Sequence, residues 1–127
     1  MTKKILVIED DPNMIKLIKY NLEKHGYSVI SAEGGTEGLQ LARQENPDLL
    51  ILDVLLPGMD GFKICRLLRY DMKFKKLPII ILTGQTTDRH KEMGREVGGN
   101  VYLTKPFEPE ILLEKVKELL GECPHPS

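Results

Sequence analysis

This chain contains no tryptophan, and its aromatic residues are three phenylalanines and four tyrosines. It therefore offers no indole to stack on a flavin. It has no long hydrophobic run either. Its longest unbroken aliphatic stretches are four residues, such as "LLIL" at 49–52 and "IIIL" at 79–82. A bilayer-spanning helix needs about 20 apolar residues, so neither can cross a membrane. It has no excess of either charge. Eighteen lysines and arginines face nineteen acids, a formal net charge of −1, so nothing in the balance suggests a nucleic-acid-binding surface. Cysteine is nearly absent: Cys65 falls in a predicted helix and Cys123 in the tail "CPHPS". Two cysteines read as free thiols, and Cys123 with His125 is two potential ligands short of a zinc site. "MTKK" leads straight into the first apolar run, which leaves no room for a signal peptide and predicts a cytoplasmic protein.

What the chain does have is 41% hydrophobic residues over 127 positions, enough to bury one core. The pattern alternates between two periods. Short apolar runs at Lys4–Glu9, Ser28–Ala32, Leu49–Asp53, Pro78–Thr83 and Asn100–Thr104 read as strands. Helical spacing follows each: Pro12 to His25, Thr36 to Gln44, Asp60 to Met72, Asp88 to Val97, and a last helix after "KPFEP" carrying Ile111, Leu112, Val116, Leu119 and Leu120. Gly38 weakens the second helix by roughly 1 kcal/mol relative to alanine. Strands this uniformly apolar are buried on both faces, which predicts a parallel sheet with helices on each side. Residues 1–121 form one predicted domain, and 122–127 a tail expected to be disordered.

In open parallel α/β sheets, sites form beyond the carboxyl ends of the strands. The first strand ends in Glu9, Asp10 and Asp11; the third in Asp53; the fourth in Thr83; the fifth in Lys105. Taken singly, several are ordinary. Asp11 before Pro12 is a standard helix cap, Thr83 can simply end a strand, and Lys105 before a proline can be a solvated turn residue. Asp53 caps nothing obvious, and Glu9 and Asp10 precede the cap. Acids clustered without adjacent basic partners call for a cation, and hard oxygen ligands suit Mg²⁺. A magnesium ion beside a carboxylate, a hydroxyl and an ammonium is a phosphoryl-transfer set, in which the carboxylate can itself be the nucleophile.

With "VIEDDP", "LDVLLPGMDGF", "ILTG" and "YLTKPF" in this order, the chain resembles the receiver domain of two-component response regulators over residues 3 to about 120. The intervals also match: 43 residues from Asp10 to Asp53, 30 from Asp53 to Thr83, 22 from Thr83 to Lys105. The resemblance implies a flavodoxin-like (βα)5 fold with strand order 2-1-3-4-5, the order that chemotaxis receivers illustrate. It implies that Asp53 accepts the phosphoryl group. Asp10, Asp53 and the backbone carbonyl of Leu55 would bind Mg²⁺, with Glu9 in the outer shell. Thr83 would be the switch hydroxyl beside the small Gly84, Tyr102 the aromatic that turns inward, and Lys105 the ammonium that pairs with the phosphoryl group. Pro106 would follow a cis peptide. The implied donor is a histidine kinase or phosphotransfer protein. The implied reader is a downstream target protein or an output domain, contacted through the surface of the fourth helix, fifth strand and fifth helix. No enzymatic activity beyond the domain's own phosphorylation and dephosphorylation is expected.

Three positions depart from the family pattern or tune it. Leu55 and Gln85, two residues beyond Asp53 and Thr83, occupy positions that tune phosphate lifetime. Leu55 cannot orient a water, so slow self-hydrolysis is expected. "VGGNVY" at 97–102 lacks the acidic pair that serves dimerisation in winged-helix regulators, so a monomer or a weak phosphorylation-dependent dimer is expected. Two other classes compete. A small Mg²⁺-dependent phosphatase would carry aspartates spaced by one after the first strand, whereas these acids are contiguous and the nucleophile candidate lies on the third. A pseudo-receiver, a binding module that is never phosphorylated, would lack key positions that are all filled here. A flavodoxin-type carrier is disfavoured because "EDDP" would repel its phosphate. His25, His90 and His125 are expected at the surface.

Overall fold

The structure is a computed structural model; it describes residues 2–54, 56, 60–84, 92–93 and 95–122. Five strands form a single parallel sheet of order β2-β1-β3-β4-β5: β1 (Lys4–Ile8), β2 (Ser28–Ala32), β3 (Leu49–Asp53), β4 (Ile79–Thr83) and β5 (Val101–Thr104). The predicted strands and their order are all present. Helices α1 (Pro12–Lys24), α2 (Gly35–Glu45), α3 (Gly61–Tyr70) and a C-terminal helix (Pro109–Leu119) flank the sheet. Part of the predicted helix at 88–97 lies outside the described residues; 92–93 and 95–96 are helical.

Strand alternation divides the core in two. Ile5, Val7, Leu49, Ile51, Ile80 and Leu82 face one side, where they meet Ile15, Ile18 and Leu22 of α1 and Leu112 and Val116 of the C-terminal helix. Leu6, Ile8, Leu50, Leu52, Ile79 and Ile81 face the other, against Leu39 and Ala42 of α2 and Phe62, Ile64, Cys65 and Leu68 of α3. A period of two along each strand thus feeds two apolar layers, which is why the strands show no polar face. Burial of each such side chain contributes about 1.5–3 kcal/mol, and these layers hold the sheet together.

The helix ends follow local chemistry. The Asp11 carboxylate accepts from Asn13 N (2.9 Å) and Pro12 opens α1, so Asp11 is the expected cap. Asp60 caps α3 by accepting from Phe62 N (2.8 Å). This helix stops at Tyr70 rather than Met72. Asp71 adopts an extended conformation and its side chain caps a short 3-10 turn, Met72–Phe74, whose Phe74 is buried. Gly38 has a packing reason: a Cβ there would lie 2.4 Å from Ile8 Cδ1, so its lack of a side chain lets α2 lie against β1. No helix among the described residues is long and apolar enough to cross a membrane.

Candidate functional site

The parallel sheet brings the ends of β1, β3, β4 and β5 to one edge. Glu9 continues the β1–β2 ladder, its N–H donating to Ala32 O (3.0 Å), and Asp53 is the last residue of β3. Both are buried, Glu9 completely, while Asp10 is exposed. Adjacent residues at a strand end thus go opposite ways, one inward and one to the solvent face of the pocket. Carboxylate oxygens of Glu9, Asp10 and Asp53 all lie within 4.8 Å of one another.

The sequence places no base beside these acids, but the fold does. Lys105 N donates to Thr83 O (2.7 Å), which extends the β4–β5 pairing and brings the lysine side chain over the pocket. Its ammonium is 2.6 Å from Glu9 Oε1 and 3.0 Å from Asp53 Oδ2. The other Glu9 oxygen accepts from Asp11 N (3.1 Å). Both oxygens of Glu9 are therefore engaged by the protein, which suits an outer-shell role better than direct ligation. The Lys105–Pro106 peptide is cis.

The electrostatics follow from this geometry. Burial pushes the Glu9 carboxyl up to about 7, opposed by the Lys105 and Asp11 hydrogen bonds and reinforced by the neighbouring Asp53 charge. Burial works against the Lys105 charge, but the Glu9 and Asp53 contacts together hold its pKa above the usual lysine range. Three carboxylates against one ammonium leave an excess of two negative charges when all are ionised. A divalent cation balances that excess, and the all-oxygen donor set is of the hard kind Mg²⁺ takes, so the residues present fit that ion.

Thr83 is fully buried at the end of β4. Burial raises the Tyr102 phenol, opposed by a hydrogen bond with Thr83, so the threonine and the half-buried tyrosine already share a contact. At Gly84 a Cβ would meet nothing within 4 Å among the described atoms. Leu55, whose carbonyl is an expected metal ligand, and Gln85 lie outside the described residues, as do Cys123, His90 and His125. His25 is exposed, with Nδ1 2.9 Å from Asn21 O.

One residue at this edge has no counterpart among the expected site residues. A Cβ on Gly61 would lie 2.5 Å from both Asp53 O and Val54 Cα, and Gly61 N donates to Val54 O (3.1 Å). The first turn of α3 therefore sits directly on the backbone of Asp53. Its only signal in the sequence is the glycine after a helix-capping aspartate, which also fits an ordinary turn.

Comparison with known proteins places this edge in a family. The family model of the response regulator receiver domain matches residues 5–117. The chain is 43% identical over 120 residues to the alkaline phosphatase synthesis transcriptional regulatory protein PhoP of Bacillus subtilis, covering 94% of this chain and 49% of that one. It is 38% identical over 118 residues to protein PilH of Pseudomonas aeruginosa, covering 93% and 98%. It thus spans about half of the former and nearly all of the latter. Among solved structures it superposes on chemotaxis protein CheY4 of Vibrio cholerae with a TM-score of 0.89 at 33% identity, covering 94% of this chain and 99% of that one.

Proposed function

The chain belongs to the response regulator receiver family, and on that premise we propose that Asp53 accepts a phosphoryl group from a phosphohistidine of a kinase or phosphotransfer protein. The observation that carries this reading is the buried Asp53 carboxylate with the Lys105 ammonium at 3.0 Å and two further carboxylates within 4.8 Å. In the transfer, the histidine N–P bond breaks and an O–P bond to the Asp53 carboxylate forms. The histidine leaves with its nitrogen pair, and Asp53 becomes an acyl phosphate.

Asp10, Asp53 and the Leu55 carbonyl would hold Mg²⁺, with Glu9 behind them, and the ion would supply positive charge to offset the phosphoryl oxygens. Lys105 exchanges part of its contact with Asp53 for the new oxygens. The modified side chain carries up to about two negative charges and several strong acceptors. Thr83 turns its hydroxyl to one of those acceptors and gives up its contact with Tyr102, which packs into the space vacated. The surface of the fourth helix, β5 and the C-terminal helix is then reset for a target protein or an output domain. Residues 1–121 act as the receiver unit, cytoplasmic, as a monomer or a weak phosphorylation-dependent dimer, with no direct contact to nucleic acid.

The test is mass measurement after incubation with Mg²⁺ and acetyl phosphate. One added phosphoryl group is expected, absent without Mg²⁺ and absent in Asp53→Ala. No gain with any small donor or kinase would favour a pseudo-receiver that only binds partners. Repeated turnover of unrelated phosphate esters would favour a phosphatase.

A further inference from the structure

Helix α3 is attached at both ends, and the two attachments lead to different parts of the site. At its start, Gly61 rests on the backbone of Asp53 and Val54 with no room for a side chain between them. Toward its other end, Arg69 reaches the segment that leads into β5. Its Nε and Nη2 both donate to Gly98 O (3.1 and 2.7 Å), and Nη2 also donates to Asn100 Oδ1 (3.0 Å). Nη1 donates to Phe74 O (2.9 Å). Gly98 is fitted to this contact twice over. It has φ +92°, and a Cβ there would lie 2.7 Å from Arg69 Nε.

Asn100 passes the contact on to the sheet. Its N–H donates to Ile79 O (2.9 Å) and its Oδ1 accepts from Ile79 N (2.8 Å), so it brackets the first residue of β4. The same Oδ1 is the one Arg69 holds. Strand β5 needs such an anchor. It is four residues long, lies at the edge of the sheet, pairs among the described residues only with β4, and none of its residues is fully buried. A slip of one residue would move Lys105 by about 3.3 Å and turn it to the opposite face. A guanidinium suits the task because its planar fork presents several donors in fixed directions, which an ammonium cannot do.

We propose that Arg69 is a positioning residue for phosphoryl transfer: through α3 it ties the start of β5 to the strand that carries Asp53, and so fixes the register that delivers Lys105 to the acceptor. The proposal rests on the receiver reading above. The Arg69 hydrogen bonds go to Phe74, Gly98 and Asn100, and none of these touches the carboxylates of Glu9, Asp10 or Asp53 on β1 and β3. Metal binding and phosphoryl uptake should therefore separate.

The experiment compares wild type with Arg69→Ala and Arg69→Lys in three measurements: Mg²⁺ affinity, the rate of phosphoryl gain from acetyl phosphate, and the ¹⁵N signal of the Lys105 ammonium without metal. Displacement of a reacting group by about 1 Å can cost on the order of a hundredfold. The uptake rate is expected to fall roughly ten- to a hundredfold in Arg69→Ala and less in Arg69→Lys. Mg²⁺ affinity should not fall, because a loosened Lys105 ammonium competes less for the same carboxylates, and the ammonium signal should broaden in both variants. Uptake at the wild-type rate in a folded variant overturns the proposal, as does a parallel loss of Mg²⁺ affinity. If Arg69→Ala does not fold, Arg69→Lys decides alone. A wild type that takes up no phosphoryl group sinks the receiver reading instead, and the ammonium signal still decides whether Arg69 positions Lys105.

Discussion

The two ends of the sheet use the same chemical groups in opposite ways. At the carboxyl end, Lys105 pairs with Glu9 and Asp53, whose side chains are 0% and 5% exposed. At the amino end, Lys4 Nζ pairs with Glu45 at 2.9 Å, but those side chains are 35% and 41% exposed. The amino end also carries closures of the chain: Lys4 N donates to Asp48 Oδ2 (2.7 Å), and Tyr27 donates to Glu122 Oε1 (2.5 Å). Water does most of the solvation at the amino end, so its charges cost little and contribute little. At the carboxyl end desolvation is costly, and three acids share one ammonium. A cation, a proton on Glu9 or a chemical change at this end would relieve that excess of negative charge. The difference separates an end that closes the fold from an end kept for function.

The largest effect expected from this contrast is at Gly61. A Cβ added there would strike backbone atoms, Asp53 O and Val54 Cα, that cannot rotate away as a side chain tip can. Gly61→Ala should cost about 3 kcal/mol, the upper part of the usual range for overpacking, and should slow phosphoryl uptake by displacing Asp53. Gly26, at the amino end, is a control of the other kind. Its φ is +91° but nothing lies within 4 Å of where a Cβ would stand, so Gly26→Ala should cost only about 1 kcal/mol and leave uptake unchanged. Urea unfolding of both variants checks the order; equal losses would break the contrast between a crowded functional end and an open structural one.

Much of this was legible in the sequence, for a physical reason. A parallel sheet buried on both faces writes itself as uniform apolar runs, and its strand ends mark where polar residues converge. Glu9, Asp10, Asp53, Thr83 and Lys105 can therefore be placed on one edge from the pattern alone. What the sequence could not display was contact between distant segments. Glu9 and Lys105 are 96 residues apart, and nothing in either neighbourhood announces a 2.6 Å ion pair. Gly38 looks like a defect in a helix, because propensity counts backbone entropy and not the proximity of Ile8. Arg69 looks like one more charge on a helix surface, although its fork is spent on three main-chain and side-chain oxygens. The lost information is tertiary in each case.

A smaller effect, at the amino end, is expected with pH. Tyr27 is buried, and burial followed by its contact with the Glu122 carboxylate raises its pKa above the usual tyrosine value of 10.0. Its phenol keeps its proton in the folded chain at a pH where the unfolded chain has lost it. The sign is therefore fixed: this contribution to stability is complete below about pH 10 and is lost as pH rises through the higher folded value. Tyr27→Phe removes the hydrogen bond and should cost about 1 kcal/mol at pH 7. It also removes the titrating group, so the deficit should shrink when both proteins are unfolded in urea at a pH about half a unit above the unfolded tyrosine value. A deficit that stays constant with pH would mean that folding does not raise the Tyr27 phenol.

The smallest effect belongs to Lys4 and Glu45. Their ion pair has good geometry, and Lys4 Nζ also lies 3.3 Å from Glu45 O, so a count of contacts would rank it beside the Lys105 pair. Exposure decides otherwise. Each partner is about one-third exposed or more, so both keep much of their hydration, and salt screens what attraction remains. Lys4→Met should cost about 0.5 kcal/mol or less, and even that should fade at a salt concentration of about 1 M. The aliphatic stem of Lys4 packs in either case, so the methionine retains its share of burial. A loss above about 2 kcal/mol would show that the amino end is as electrostatically committed as the carboxyl end, and that desolvation is not what distinguishes the site from the rest of the sheet.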